Sequence, residues 1–275
     1  MTGSIRLDGS VLFWTLSKDS VRQTIIDGWT AVGGGWGKMA PKERTPEACL
    51  RDALTDRFPK ALIRPLEKKD GFAVLQEVRY RDDVQTACTH AVAFDGSGNI
   101  DIRRGFTTTL EMELRESYNR QRAILKPSQV ATSLVGILSH LNAVVLRPTG
   151  GIYWLPDASL SIWQELADVV QAAGVGGRNA IYRITHTFDA ESVRAVRDAV
   201  LAEADREAAE IIKDVDSGEL GERALKSRAD QADRLKLKVQ EYERILNESL
   251  GTATEIAERA GHVATAAKII ATAAA

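Results

Sequence analysis

Apolar residues along this chain change their spacing from one region to the next, and the changes mark out its elements. The first sixty residues are mixed: SIRLDGSVLFWTLS predicts a strand or hairpin ending at Ser17, and DSVRQTIIDGWTAV predicts a helix. TPEACLRDALTDRF predicts a second helix, with Thr45 as its cap and Pro46 at the first helical position, where a missing N–H costs nothing. Residues 61–103 predict antiparallel sheet. In GFAVLQEVRY, Phe72, Val74, Val78 and Tyr80 recur at period two, which suits a half-buried strand. TACTHAVAF and NIDIRR continue that sheet across the turn-forming DGSGN.

From about residue 108 the period lengthens. Thr108 and Glu111 have the spacing of a capping box, and Leu110, Leu114, Tyr118 and Leu125 share one helical face. SQVATSLVGILSHL predicts a second helix through Val130, Leu134, Ile137 and Leu141. AVVLRPTGGIYWLP then reads as a hairpin turning at Pro148–Gly151. Asp157 is the expected cap of a helix burying Trp163, Leu166, Val170 and Ala173 and ended by Gly174, before a last strand in NAIYRITHTF.

The final third differs in kind. Asp189 is placed to cap a helix, with Phe188 and Val193 as a hydrophobic staple. Val193, Val196, Val200, Ala204, Ala208, Ile211 and Val215 then form one stripe on a helix of about 27 residues, roughly 40 Å long. DSGELGE interrupts it, with Gly218 easing the turn and Asp216 and Glu219 as caps for the next helix. A second stripe runs through Leu225, Ala229, Ala232, Leu235, Val239, Tyr242, Leu246 and Leu250. Two long stripes joined by a short polar turn predict an antiparallel hairpin, since each needs an apolar partner. Residues 251–275 are Ala-rich and helix-compatible, and they either pack on the hairpin or another subunit, or fray.

The pattern therefore predicts an α+β fold: a mixed domain with antiparallel sheet over residues 1–187, a helical hairpin over 188–250 and a helical tail over 251–275. Composition adds little. The chain has 275 residues, is 44% hydrophobic and 27% charged, and carries a net charge of −2, so nothing at whole-chain level implies nucleic acid or an anionic membrane. Cys49 and Cys88 form no CxxC pair, and no apolar run approaches the roughly 20 residues of a spanning helix. The start MTGSIRLDGS lacks the pattern of a secretory signal. A cytoplasmic protein without membrane contact is the expectation.

Four stretches imitate functional motifs. GGGWGK resembles a phosphate loop, but Val32 stands where a Walker loop needs glycine and Met39 where it needs a hydroxyl. It is read instead as a mobile, partly exposed contact loop around Trp36. DGSGNID offers Asp95, Ser97, Asn99 and Asp101 as oxygen ligands, yet Ile100 and Phe106 occupy the glycine and glutamate positions of a calcium loop, so a turn is expected. Cys88 and His90 fall on one strand face without establishing a nucleophile and its base, and no histidine pair has metal-ligand spacing. A helix followed by a hairpin over residues 110–155 has the order of a winged helix, with Arg115, Arg120, Arg122, Lys126 and Arg147 as prospective phosphate contacts. The helix between them carries no Arg or Lys to read guanine.

In the hairpin, acidic residues outnumber basic ones, which suits a helical partner better than DNA. Leu201, Ile212, Leu237 and Ile245 lie off the stripes and imply contact beyond one antiparallel neighbour. The resulting expectation is a non-enzymatic interaction or assembly protein with no catalytic, metal or cofactor site. It is expected to form a homo-oligomer, or to bind a helical partner, through the seam of Val193, Val200, Ile211, Leu235, Val239, Tyr242 and Leu246. A DNA-binding regulator with a winged-helix-like segment and coiled-coil dimeriser is the alternative. An enzyme with its site in the α+β domain is the third reading.

Overall fold

A computed structural model of the chain describes residues 9–80, 83–95, 97–147, 149–185 and 189–273. It is a mixed fold, 58% helical and 20% strand. Along the chain come β1 (Gly9–Thr15), β2 (Ser20–Val21), α1 (Arg22–Val32), α2 (Pro46–Arg57), β3 (Leu62–Pro65), β4 (Gly71–Tyr80), β5 (Asp83–Phe94) and β6 (Ile100–Arg104). Then follow α3 (Thr108–Ala123), β7 (Ile124–Leu125), α4 (Pro127–His140), β8 (Val144–Val145), β9 (Tyr153–Pro156), α5 (Leu160–Ala173) and β10 (Ala180–Thr185). Three long helices end it: α6 (Ala190–Asp216), α7 (Glu222–Leu246) and α8 (Gly251–Ala273). The chain divides into two compact units, one made of β1, residues 134–168 and the chain from Ala180 onward, the other of residues 16–133 and 169–179. The division does not follow the sequence boundary at residue 187, because β1, β8, β9 and β10 group with the long helices.

In the first unit the sheet runs β10-β1-β9-β8, antiparallel throughout. Its register pairs Val11 with Ile184 and Trp154, and Phe13 with Tyr182, so these side chains share one face. Val144 and Trp154 from that face enter a core with Val196, Val200, Ala204 and Ile211 of α6 and Leu235, Val239, Tyr242 and Leu246 of α7. On the opposite face Trp14 stacks on Tyr153 at 5.2 Å and lies 6.3 Å from Trp163 of α5.

The α6–α7 hairpin forms as its stripes require. The Asp189 carboxylate accepts from Ser192 N at 2.9 Å to open α6, and Gly218, at φ +69°, makes the turn. The expected caps of α7 are corrected: its N-cap is Gly221, which makes no side-chain capping bond, and neither Asp216 nor Glu219 holds that position. Phe188, the other half of the expected staple, lies outside the described residues. The tail does not fray, since α8 packs on both α6 and α7 and completes a three-helix bundle. Ala253, Ala257, Ala260 and Ala264 are at most 1% exposed, at a helical spacing that turns one alanine stripe inward. Glu243 turns the chain into α8 by accepting from Leu250 N at 2.7 Å and Thr254 Oγ1 at 3.2 Å.

In the second unit a sheet of order β3-β4-β5-β6 carries α2 and α3. Cys49, Leu50, Ala53 and Leu54 of α2 and Leu114 and Tyr118 of α3 close on Phe72, Val74, Val92 and Ile100 of the sheet. Thr45 caps α2 as expected, accepting from Ala48 N at 3.2 Å. Thr107, one residue before the expected Thr108, caps α3. Asn179 ties the unit's distant segments, accepting from Ser17 N at 2.8 Å and donating to Val170 O at 2.7 Å.

Candidate functional site

The expected partner seam is interior to the chain's own bundle. Val200 and Ile211 are 2% exposed, Leu235 3%, Val239 1%, and Tyr242 and Leu246 0%, while Val193 is half-buried against the same cluster. As a docking surface the seam is corrected, because α8 occupies the groove that a two-helix hairpin would leave open. Of the off-stripe residues, Leu201, Ile212 and Ile245 pack on this core, whereas Leu237 is 65% exposed.

Two charges sit inside the bundle. Glu203 on α6 and Lys238 on α7 are each 8% exposed. Lys238 Nζ donates to Glu203 Oε1 at 2.8 Å and to Ala143 O at 2.7 Å. One turn along α7, Tyr242 Oη donates to Asn142 O at 2.6 Å, and Asn142 Nδ2 donates to Glu241 Oε2 at 2.5 Å. α7 thus grips the Asn142–Ala143 turn at both carbonyls and sets the entry to β8. Burial, reinforced by Glu203 and Glu241, pushes the Tyr242 phenol well above its ordinary pKa, so it remains a donor. The void beside the pair, lined by Val200, Glu203, Ala204, Leu235, Lys238 and Val239, leaves no room for a water molecule. A buried ion pair of this kind adds little net stability, while removing one partner is costly. The charge balance of the hairpin alone does not single out this pair. The available signal was spacing: Glu203 follows Val200 by three residues and Lys238 follows Leu235 by three, so both fall within the apolar stripes.

The prospective phosphate contacts are drawn toward carboxylates. Arg115 pairs with Glu111 at 2.8 Å, Arg122 with Glu43 at 3.3 Å, and Lys126 with Asp19 at 3.1 Å and Asp52 at 3.5 Å. Arg120 and Arg147 are exposed. The most enclosed cation nearby is Arg44, 9% exposed, which donates to Gln121 Oε1 at 2.7 Å and Asp52 Oδ2 at 2.6 Å and so locks α2 to α3. The hairpin of the winged-helix-like segment exists, with Val144 opposite Trp154, but β9 also pairs with β1 inside a sheet. Pro148, in its expected turn, lies outside the described residues.

Trp36 is corrected as a contact residue. It is 8% exposed, in a short 3-10 turn (Trp36–Met39) against α1. The glycines serve the backbone: Gly33, Gly34 and Gly35 all take positive φ, and a Cβ on Gly37 would stand 2.3 Å from Thr30 Oγ1. Asp95 makes the expected turn, accepting from Asn99 N at 2.8 Å and Ser97 N at 2.9 Å, and these bonds hold its carboxyl below the usual range. A register shift sets Cys88 opposite Leu75 and His90 opposite Val74, so the two side chains fall on opposite faces and not on one. His186 lies outside the described residues. Among the described residues no group of His, Cys, Asp and Glu is placed to hold a metal, and no helix is long and apolar enough to cross a membrane.

Two of the outward apolar residues lie together at the end of a sheet. β10 is the terminal strand of its sheet, and Tyr182 and Ile184 on it are 45% and 51% exposed. Tyr182 stacks on Phe13 at 4.9 Å, extending the bundle-facing side of the sheet beyond the bundle core. Other terminal strands carry features that discourage edge pairing. β3 contains Arg64 and Pro65, β6 contains Asp101, Arg103 and Arg104 beside a register shift, and β8 is two residues long. β10 has six regular residues, AIYRIT, with one charge, Arg183, and no proline.

No curated protein and no solved structure matches the chain. Residues 9–268, from β1 into α8, match the family described as "Family of unknown function (DUF6744)", and the chain belongs to that family.

Proposed function

We propose that this chain is a non-enzymatic assembly protein that pairs with a second copy of itself along β10. The observation that supports this is the place of β10 as the last strand of its sheet among the described residues, with Tyr182 and Ile184 half-exposed beside Phe13. A terminal strand can extend its sheet with a further strand, and proteins that remain monomeric block such edges. A second copy suits it because antiparallel self-pairing about a twofold axis keeps each face of the sheet continuous. Centred on Tyr182, that pairing sets Arg183 across from Ile181 and Ala180 across from Ile184. The one charge on the strand then meets no like charge. The helical seam, already filled by α8, is not the contact in this reading.

Sedimentation velocity of the full chain tests it. A dimer is expected at micromolar concentration. Tyr182→Lys, which sets two ammonium groups across the axis, is expected to give a monomer with unchanged circular dichroism. A strict monomer at high concentration, or a dimer indifferent to Tyr182→Lys, overturns the reading.

A further inference from the structure

The bundle leaves one polar atom unaccounted for. Glu203 Oε1 accepts from Lys238, but Glu203 Oε2 is buried with no hydrogen-bond donor beside it. A buried carboxylate oxygen without a donor is costly, and the adjoining void is too small for a water to serve it. One turn further along α6 stands Glu207, half-buried, at the i,i+4 spacing that brings two side chains together on one helical face. Two ionised carboxylates hold only acceptors, so a hydrogen bond between them requires a proton. We propose that Glu203 and Glu207 hold one proton between them, carried on Glu207 and donated to Glu203 Oε2, and that its release loosens α6 from α7.

The surrounding charges set the direction. On α6 the neighbours are Arg206 and the pair itself; on α7 they are Lys238, Glu241 and Tyr242; and the Asn142–Ala143 turn presents two carbonyls that α7 already holds. α8 meets this core with alanines, and its Glu258 pairs with Lys236 at 3.0 Å. With the proton in place, one carboxylate balances one ammonium. Without it, two carboxylates crowd a single Lys238, which also supports Ala143 O at the entry to β8. Burial first, then the Glu203 charge, raises the proton affinity of Glu207, against the opposing effect of Lys238 and Arg206. Because the folded chain holds this proton more tightly than the unfolded chain, the contribution is complete at low pH. It is lost as pH rises from the ordinary glutamate range through the raised value for Glu207.

Urea unfolding of the full chain across that window reads the effect. The unfolding equilibrium constant is expected to rise by up to about tenfold per pH unit within the window. Glu207→Gln, whose neutral amide donates to Glu203 at every pH, is expected to flatten that stretch. An unaltered slope in Glu207→Gln overturns the proposal. Carbon-13 titration of glutamate carboxyls in the wild-type chain gives an answer independent of any variant's folding. One glutamate titrating above the ordinary range supports the shared proton. All glutamates titrating within that range overturn it.

Discussion

The seam of the long helices and the edge strand β10 are opposite cases of apolar sequence. The seam is strongly periodic over two helices, and nearly all of it is interior, with Tyr242 and Leu246 fully buried. β10 is six residues with no long-range pattern, yet Tyr182 and Ile184 stay half-exposed. Periodicity reports which face of an element is covered; it does not report whether the cover comes from the same chain. Here α8 supplies the cover with a ladder of alanines, residues that add little to a hydrophobicity count but let helices approach closely. The edge has no such cover among the described residues.

The sharpest way to break this contrast is inside the bundle. Lys238→Met leaves Glu203 buried without its partner and should destabilise the fold by about 3–5 kcal/mol in urea denaturation. Replacing both residues by leucine or methionine should recover most of that loss, since a well-packed apolar pair serves as well. Leu246→Ala should cost about 2–5 kcal/mol while leaving the sedimentation coefficient of the folded form unchanged. A seam exposed for partner binding would give a smaller loss and a changed mass. Ala260→Leu should cost about 1–3 kcal/mol by overpacking, which checks by thermal melting that α8 is a structural member of the bundle. At the other extreme, Arg122→Ala should change stability by less than about 1 kcal/mol, because its pair with Glu43 is solvent-exposed.

Much of the fold was legible because local signals agreed with one another. Thr45, Pro46 and Asp189 mark helix starts that the structure keeps, and the turn at Gly218 falls between two stripes of matching phase. Legibility failed where a long-range partner decides the outcome. Trp36 reads as a loop aromatic until α1 and its glycine turn enclose it. Arg122 and Lys126 read as free cations until Glu43, Asp19 and Asp52 arrive from distant sequence. Glu203 and Lys238 escape the sequence because two charges at stripe positions are informative only once their helices are paired. Edge status is the extreme case, since β10 becomes terminal only through the order β10-β1-β9-β8, which joins the two ends of residues 9–185.

Hydrogen exchange measured at low and high protein concentration tests the central claim most directly, because it reads seam and edge in one sample. Amides of β10 should gain protection as concentration rises, while those of α6 and α7 around Val200, Leu235 and Val239 stay equally protected throughout. Concentration-dependent protection along α6 and α7, with β10 unchanged, would contradict the account and return the contact to the helical seam.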